Sequence, residues 1–363
     1  MKQAAIKFDK NFSADFTKVL KKRVNDYFTK NKIDRFGNFN MFFKSFAMLS
    51  LYFVPFFLII TRTVENPWAT VGLWSFMGVG MAGIGLSIMH DGNHGAFSRN
   101  KLINRLMGLT INFVGGSAKL WKLQHNVLHH TFTNVDGMDE DIEGPGFLRF
   151  SPHREHKPIH KHQHKFFIFA YGLMTFGWVM WKDYLQVFRF KKKGLIKPKE
   201  FGKELFFVIF WKAFYFGYVL IIPLFLIGLD KVPTLIGWFL MHYVCSIILS
   251  LIFQLAHVMP ENDFPQPNEE EIIENSWEIH QLQTTANFSQ KSRLFSWYIG
   301  GLNYQIEHHL FSGICHVHYR HLSKIVKETA KEYNVPYYTN GSFVNAIKQH
   351  YQIIKRLGQG QTA

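Results

Sequence analysis

Cysteine is almost missing from this chain: its 363 residues include only Cys245 and Cys315. Two thiols build no disulfide framework, and these two do not form a thiolate metal site. No zinc-finger, RNA-binding or basic-zipper pattern is present, and residues 1–40 are too polar and lysine-rich to be a cleavable signal peptide. No internal repeat is visible. Acidic residues are outnumbered, 26 Asp and Glu against 41 Lys and Arg, for a formal net charge of +15. Such a balance suits nucleic acid, an anionic membrane surface or an anionic partner. With no nucleic-acid motif, a nucleic-acid partner is not expected and the membrane surface leads.

What the chain has in quantity is aromatic and apolar surface. Aromatic residues make up 17% and apolar residues 47%, and Phe alone accounts for 38 positions, which excludes disorder. Mean hydropathy is close to zero, as a mixture of membrane spans and a large polar part would give. Four apolar runs, 42–60, 68–89, 205–229 and 233–255, are long enough, or nearly so, to cross a bilayer. They read as two helical hairpins with tight turns at 65–67 and 230–231. Almost all Lys and Arg lie in 1–41, 90–204 and 256–363, so the positive-inside rule places those segments in the cytoplasm. The run 103–114 is too short to span. The uncharged stretch 166–181 is marginal, and is expected to be an interfacial or half-buried helix. Residues 15–32 look helical and are expected at the surface or interface; 319–357 reads as a helical cytoplasmic cap. The fold expected is an all-α membrane protein with four spans in two hairpins and a cytoplasmic helical cap. Its parts are a basic segment 1–41, a membrane domain 42–330 and a tail 331–363.

Histidine is the other abundance, with 19 residues. Three clusters stand out: His90-Asp91-Gly92-Asn93-His94, His125-Asn126-Val127-Leu128-His129-His130, and Gln305-Ile306-Glu307-His308-His309. Each lies in a polar segment at or beyond the end of an apolar run. On an α-helix His90 and His94 share a face, about 6 Å apart in rise, and so do His125 and His129. His130 would be rotated by about 100°, toward a second metal or another edge of the site. One such pair is weak evidence. Three clusters on one side of the membrane point to a histidine-rich site for one or two transition metals, with iron, copper or zinc favoured by neutral nitrogen donors.

The order HDGNH, HNVLHH and QIEHH, with these four spans, resembles the membrane fatty acid desaturase family over roughly residues 40–330. Gln305, and the flanks Trp277, 281–287 and 303–311, are similar to the front-end subgroup, which adds double bonds between an existing one and the carboxyl end. The resemblance implies two iron ions, O2 as co-substrate, two external electrons per turnover and a cis alkene product. It implies His90, His94, His125, His129, His130, His308 and His309 as ligands, with His257 at the end of the fourth span. Gln305 would ligate directly or through water, and Gln254 is a weaker candidate for a water-mediated contact. Asp91, Asn134, Asp136, Asp139, Asp141 and Glu307 are candidates for fixing the imidazole tautomers. The substrate expected is a long-chain unsaturated acyl group, as acyl-CoA or acyl lipid. Many front-end members carry a haem domain with a His-Pro-Gly-Gly motif, which these residues do not contain. Electrons are therefore expected from a separate donor such as ferredoxin or cytochrome b5. Ser312 stands where a proline is common. The expected location is a bacterial cytoplasmic membrane, with the site and both termini on the cytoplasmic side.

A membrane hydroxylase or alkane monooxygenase is the alternative enzyme reading. A metal transporter is the alternative from another class, disfavoured because its ligands belong near mid-span. His153, His156, His160, His162 and His164 lie in a basic loop and are expected at a solvated surface or acyl head-group contact. His242 is about 22 Å from His257 along a straight helix and is expected to be hydrogen-bonded between helices. His280 could lie near the site, while His316, His318 and His321 shape the surface above the third cluster.

Overall fold

The second apolar run begins at Asn66-Pro67, and the reason is local. The Asn66 side chain accepts from Trp68 N at 2.9 Å and Ala69 N at 3.1 Å, capping the helix, and Pro67 occupies the first turn where its missing N–H costs nothing. In the computed structural model, which describes residues 6–9 and 13–361, this helix runs to His94 and ends on Gly95 at φ +73°. Residues 1–5 and 10–12 of the expected basic segment, and 362–363 of the expected tail, lie outside the described residues.

Among the described residues, four helices are long and apolar enough to cross a membrane: Phe39–Ile60, Pro67–His94, Pro198–Leu226 and Lys231–His257. They match the four expected runs and extend most of them by a turn or so. The second helix widens into a π-helix at Ile84–Ile88 and carries on through Met89–His94, so His90 and His94 lie within it. The stretch 166–181 is broken into the short pieces Gln163–Tyr171, Met174–Gly177 and Trp178–Lys182. Gly172 at the break abuts the Tyr243 ring, leaving no space for a Cβ.

The chain divides into two compact units. One comprises 39–123 and 168–251. Its helices approach closely through small residues: a Cβ on Gly80 would strike the backbone at Leu51 and Tyr52, and one on Gly83 would strike Met48. The third helix turns Phe206, Phe210, Phe225 and Leu226 outward, an apolar face suited to lipid.

The other unit comprises 1–38, 124–167 and 252–363. Helix Ala14–Asn31 buries Phe16, Leu20 and Val24, a stripe at successive i, i+4 positions, against Leu322, Val326 and Ala330 of helix Tyr319–Glu332. Arg23 forks onto Glu332 at 3.0 and 2.7 Å, and Lys21 reaches Glu278 at 2.6 Å. The other faces of this helix are exposed, as expected of a surface helix, and its apolar stripe is part of a protein core. Two short parallel strand pairs, Lys7–Phe8 with Ile272–Ile273 and Ala286–Phe288 with Tyr338–Asn340, tie distant segments into this unit.

Candidate metal centre

The second histidine cluster does not sit on an α-helix. Leu123–His129 is π-helical, and His130 N donates to His125 O, five residues back, at 2.9 Å. The wider turn changes which side chains meet. Instead of pointing away, His130 places its Nε2 3.2 Å from His125 Nε2 and 2.9 Å from His308 Nε2.

His308 and His309 come from the short helix Gln305–Leu310. Its orientation is set by Asn287, whose Oδ1 accepts from Ile306 N at 3.0 Å and whose Nδ2 donates to Glu307 at 2.9 Å. Tyr337 donates to the same carboxylate at 2.9 Å. Burial pushes Glu307 up to about 7, against the lowering effect of those two hydrogen bonds. Glu307 thus supports the helix from behind. His257 is the last residue of helix Lys231–His257.

Six histidines of this unit converge. His129, His257 and His309 form one group, and His130, His308 and His309 another, each with ligand atoms within 4.8 Å of one another. His125, His129 and Asp141 form a third on the same criterion. His309 and His129 are each shared by two groups, so the arrangement has room for more than one metal.

The ring nitrogens on the outside are held in place. His129 Nδ1 donates to Asp139 at 3.0 Å, His309 Nδ1 to Gln281 Oε1 at 2.7 Å, and His257 Nδ1 to Thr284 O at 3.4 Å. His308 Nδ1 faces Tyr319 OH at 3.3 Å. On the inside, His129 Nε2 and His257 Nε2 are buried without a hydrogen-bond partner. Buried polar atoms of this kind need an explanation. Imidazoles whose outer nitrogen is fixed and whose inner nitrogen faces a common point have the donor set and the tautomer of metal ligands. The residues fit a metal site. Burial disfavours a charged His129, but Asp139 and Asp141 outweigh it and push its pKa up to about 9.

The other expected residues are placed as follows. Gln305 is buried with Nε2 unpartnered. Asn134, at φ +60°, donates from Nδ2 to His257 O at 2.9 Å and from its backbone to Asp139 at 2.9 Å, tying the second cluster to the helix end that carries His257. Asp136 pairs with Arg154 Nε at 3.2 Å. Gln254 donates to Asp141 O at 3.2 Å. His280 is buried, with burial pushing it down to about 4, and belongs to none of the histidine groups. His153 and His156 each donate to a backbone carbonyl at 2.7 Å, those of Phe264 and Gly358, and His160 faces Gly146 O at 3.2 Å. These loop histidines pin a turn to distant chain, including helix Phe343–Gly358. His318 faces Phe36 O at 3.2 Å, and His321 stacks on Tyr27.

His90 and His94 belong to the other unit, where their rings lie 4.8 Å apart and both meet Trp121 edge-on. Asp91 lies 3.7 Å from His90 Nδ1. Between the two histidines, Gly92 packs against the backbone of Gly108 and Asn93 donates to Gly108 O at 3.1 Å, so the middle of the cluster is a structural joint.

Gln281, Thr133, Thr284 and Tyr319 were not recognisable as site residues from the sequence. Gln281 accepts from His309 and from Thr133 Oγ1 at 2.9 Å and donates to His130 O at 3.3 Å, linking two clusters. The available signal was its place in the flank of the third cluster, which indicates proximity but no partner.

The fatty acid desaturase family model matches residues 66–341. The chain belongs to the fatty acid desaturase family. It is 34% identical over 345 residues to the sn-1 linoleoyl-lipid 6-desaturase of Synechocystis sp., covering 95% of this chain and 96% of that protein. It is 35% identical to the acyl-lipid (8-3)-desaturase of Physcomitrium patens, over 98% of this chain and 74% of that protein. Identity to the acyl-lipid (8-3)-desaturase of Mortierella alpina is 33%, over 94% and 78%. As a fatty acid desaturase this chain is an oxidoreductase of acyl substrates, and its four apolar helices mark it as a membrane protein.

Proposed function

We propose that this desaturase places a cis double bond in a long-chain unsaturated acyl group, on the carboxyl side of an existing double bond. The observation that carries the metal chemistry is the set of buried imidazoles with fixed outer and converging inner nitrogens. The names of the relatives, 6-desaturase and (8-3)-desaturase, support the front-end assignment.

Two iron ions are the proposed cofactor, held by His125, His129, His130, His257, His308 and His309, with Gln305 direct or through water; the family motif adds His90 and His94. When bound, the irons supply the oxidising power, with O2 as co-substrate, to take hydrogen from an unactivated methylene. This chain's own residues do the positioning. Asp139, Gln281, Thr284 and Tyr319 hold the rings, and the burial of all six histidines keeps water out. The acyl carrier is coenzyme A or a lipid, and electrons come from a separate carrier such as ferredoxin or cytochrome b5. In this reading the polar segments and both termini face the cytoplasm of a bacterial membrane; the excess of Lys and Arg in those segments supports the orientation.

The test is expression with a matched electron donor in a host whose membranes contain linoleate, followed by mass spectrometry of the fatty acids. A new carboxyl-side double bond that disappears in His129→Ala supports the reading. A hydroxylated acid with the same dependence would replace desaturation by hydroxylation. No product with a working donor, together with no iron in the purified protein, would overturn it.

A further inference from the structure

His257 and His309 belong to one ligand group, with ring centres 4.8 Å apart, yet they come from different helices, Lys231–His257 and Gln305–Leu310. Both helix ends are contacted, beside their ligands, by one stretch of chain in the same unit, 337–358. Tyr337 opens it. Its hydroxyl donates to Glu307 Oε1 at 2.9 Å and accepts from Asn287 Nδ2 at 2.8 Å, and Asn287 also donates to Glu307. The three groups close a triangle on the residue next to His308. The parallel strands Ala286–Phe288 and Tyr338–Asn340 keep Asn287 and Tyr337 in register.

Further along, Asn340 Nδ2 donates to Glu261 at 2.7 Å, and His350, on helix Phe343–Gly358, donates from Nδ1 to Val258 O at 2.8 Å. Val258 directly follows His257, so its carbonyl is among those that a helix end leaves without an intrahelical partner. His350 is fully buried and satisfies that carbonyl away from water. The far end of the same helix is anchored by the loop 149–163, whose histidines join none of the metal-ligand groups among the described residues. Gln163, Arg149 and His156 each donate at 2.7 Å, to the carbonyls of Ile354, Leu357 and Gly358. A Cβ on Gly358 would strike His160 O, so helix and loop touch backbone to backbone.

We propose that Tyr337 and His350 are positioning residues of the metal centre, and that segment 337–358, anchored by the loop 149–163, braces the two ligand-bearing helix ends as one piece. This rests on the metal-centre reading above. Tyr337 acts through Glu307, and His350 through the Val258 carbonyl. Ligands from two elements bind one ion well only when they are held to within about 0.5 Å, so slack at either helix end is felt at the site. The histidine loop then has a task that requires it to bind neither metal nor substrate.

The experiment titrates ferrous iron, without dioxygen, into the purified, metal-stripped protein in detergent and measures bound iron. Helix content and metal-free melting temperature are recorded on the same samples. Tyr337→Phe and His350→Leu each lower iron affinity about tenfold or more, the loss expected when an outer support of a ligand is removed, while helix content stays that of the wild type. His350→Asn recovers most of the affinity, because its amide Nδ2 stands where the ring Nδ1 stood and donates to the same carbonyl. A purely structural role would lower the melting temperature and leave the iron affinity of the folded protein unchanged; that result overturns the inference alone. If His350→Leu does not accumulate, Tyr337→Phe decides. A wild-type protein that takes up no iron overturns the metal centre, and this inference with it.

Discussion

Lys212 Nζ lies 2.7 Å from Asp183 Oδ2, and the two side chains are only 3% and 1% exposed. An ion pair this dry holds only while both partners are present. Lys212→Met strands the carboxylate, and is expected to destabilise the protein by about 3–5 kcal/mol. Asp183→Asn in the same chain should recover much of that loss, because it removes the unpaired charge and keeps an acceptor for Trp178. Thermal unfolding in detergent checks both; equal loss in the single and double variants would show that the pair is not the cause.

Gln281 holds His309 and reaches the backbone of His130. Gln281→Leu should weaken metal binding by about ten- to a hundredfold without changing helix content. Metal titration of purified protein, with circular dichroism as the control, measures it. Gln281→Glu keeps an acceptor for His309 Nδ1 and should recover part of the affinity.

The π-turn at Leu123–His129 carries one residue more than an α-helix needs. Deleting Val127, which is exposed, should restore α-helical hydrogen bonding and leave His125 and His129 three residues apart, with their side chains offset by about 60° around the helix. The expected outcome is a protein that inserts and remains helical but binds metal far more weakly. Unchanged metal affinity would mean that His125 is not a ligand.

His350 is buried, donating from Nδ1 to Val258 O at 2.8 Å, and burial pushes its pKa down to about 4, opposed by that carbonyl. The folded state then holds the neutral ring, while the unfolded chain takes up a proton below about 6.5. Its contribution to stability is complete above that pH and is lost as pH falls through about 4. His350→Gln should flatten the drop in melting temperature between neutral and acidic pH, by the equivalent of about 3 kcal/mol at most. An identical pH profile in the variant would assign the acid sensitivity elsewhere.

The four spans and three histidine clusters were legible because apolar run length and short-range spacing are local properties. Asn66-Pro67 and Gly95 even mark where one helix starts and stops. The π-turn was not legible, because an α- and a π-helix can share one side-chain pattern, and the contacts of His130 with distant residues such as His308 are not visible in the local sequence. The buried face of Ala14–Asn31 was missed because its charged residues dominate the composition, while three apolar side chains decide its placement. Gln281 and Tyr319 could not be matched to His309 and His308 without the fold, since the chain turns back on itself before they meet. Lys212 reads as an interruption of an apolar run; only the structure supplies Asp183.

The unit that holds the six histidines is stitched from three stretches of chain, with the apolar helices made between them. On the ribosome, His125, His129 and His130 emerge long before His308 and His309, and Tyr337 and strand Tyr338–Asn340 follow later still. All four hydrophobic helices are therefore handed to the insertion machinery while the ligand set is half made. If the site holds metal as proposed, loading would follow release of this last stretch, and a chain stalled before Tyr337 would lack the hydrogen bond that supports Glu307.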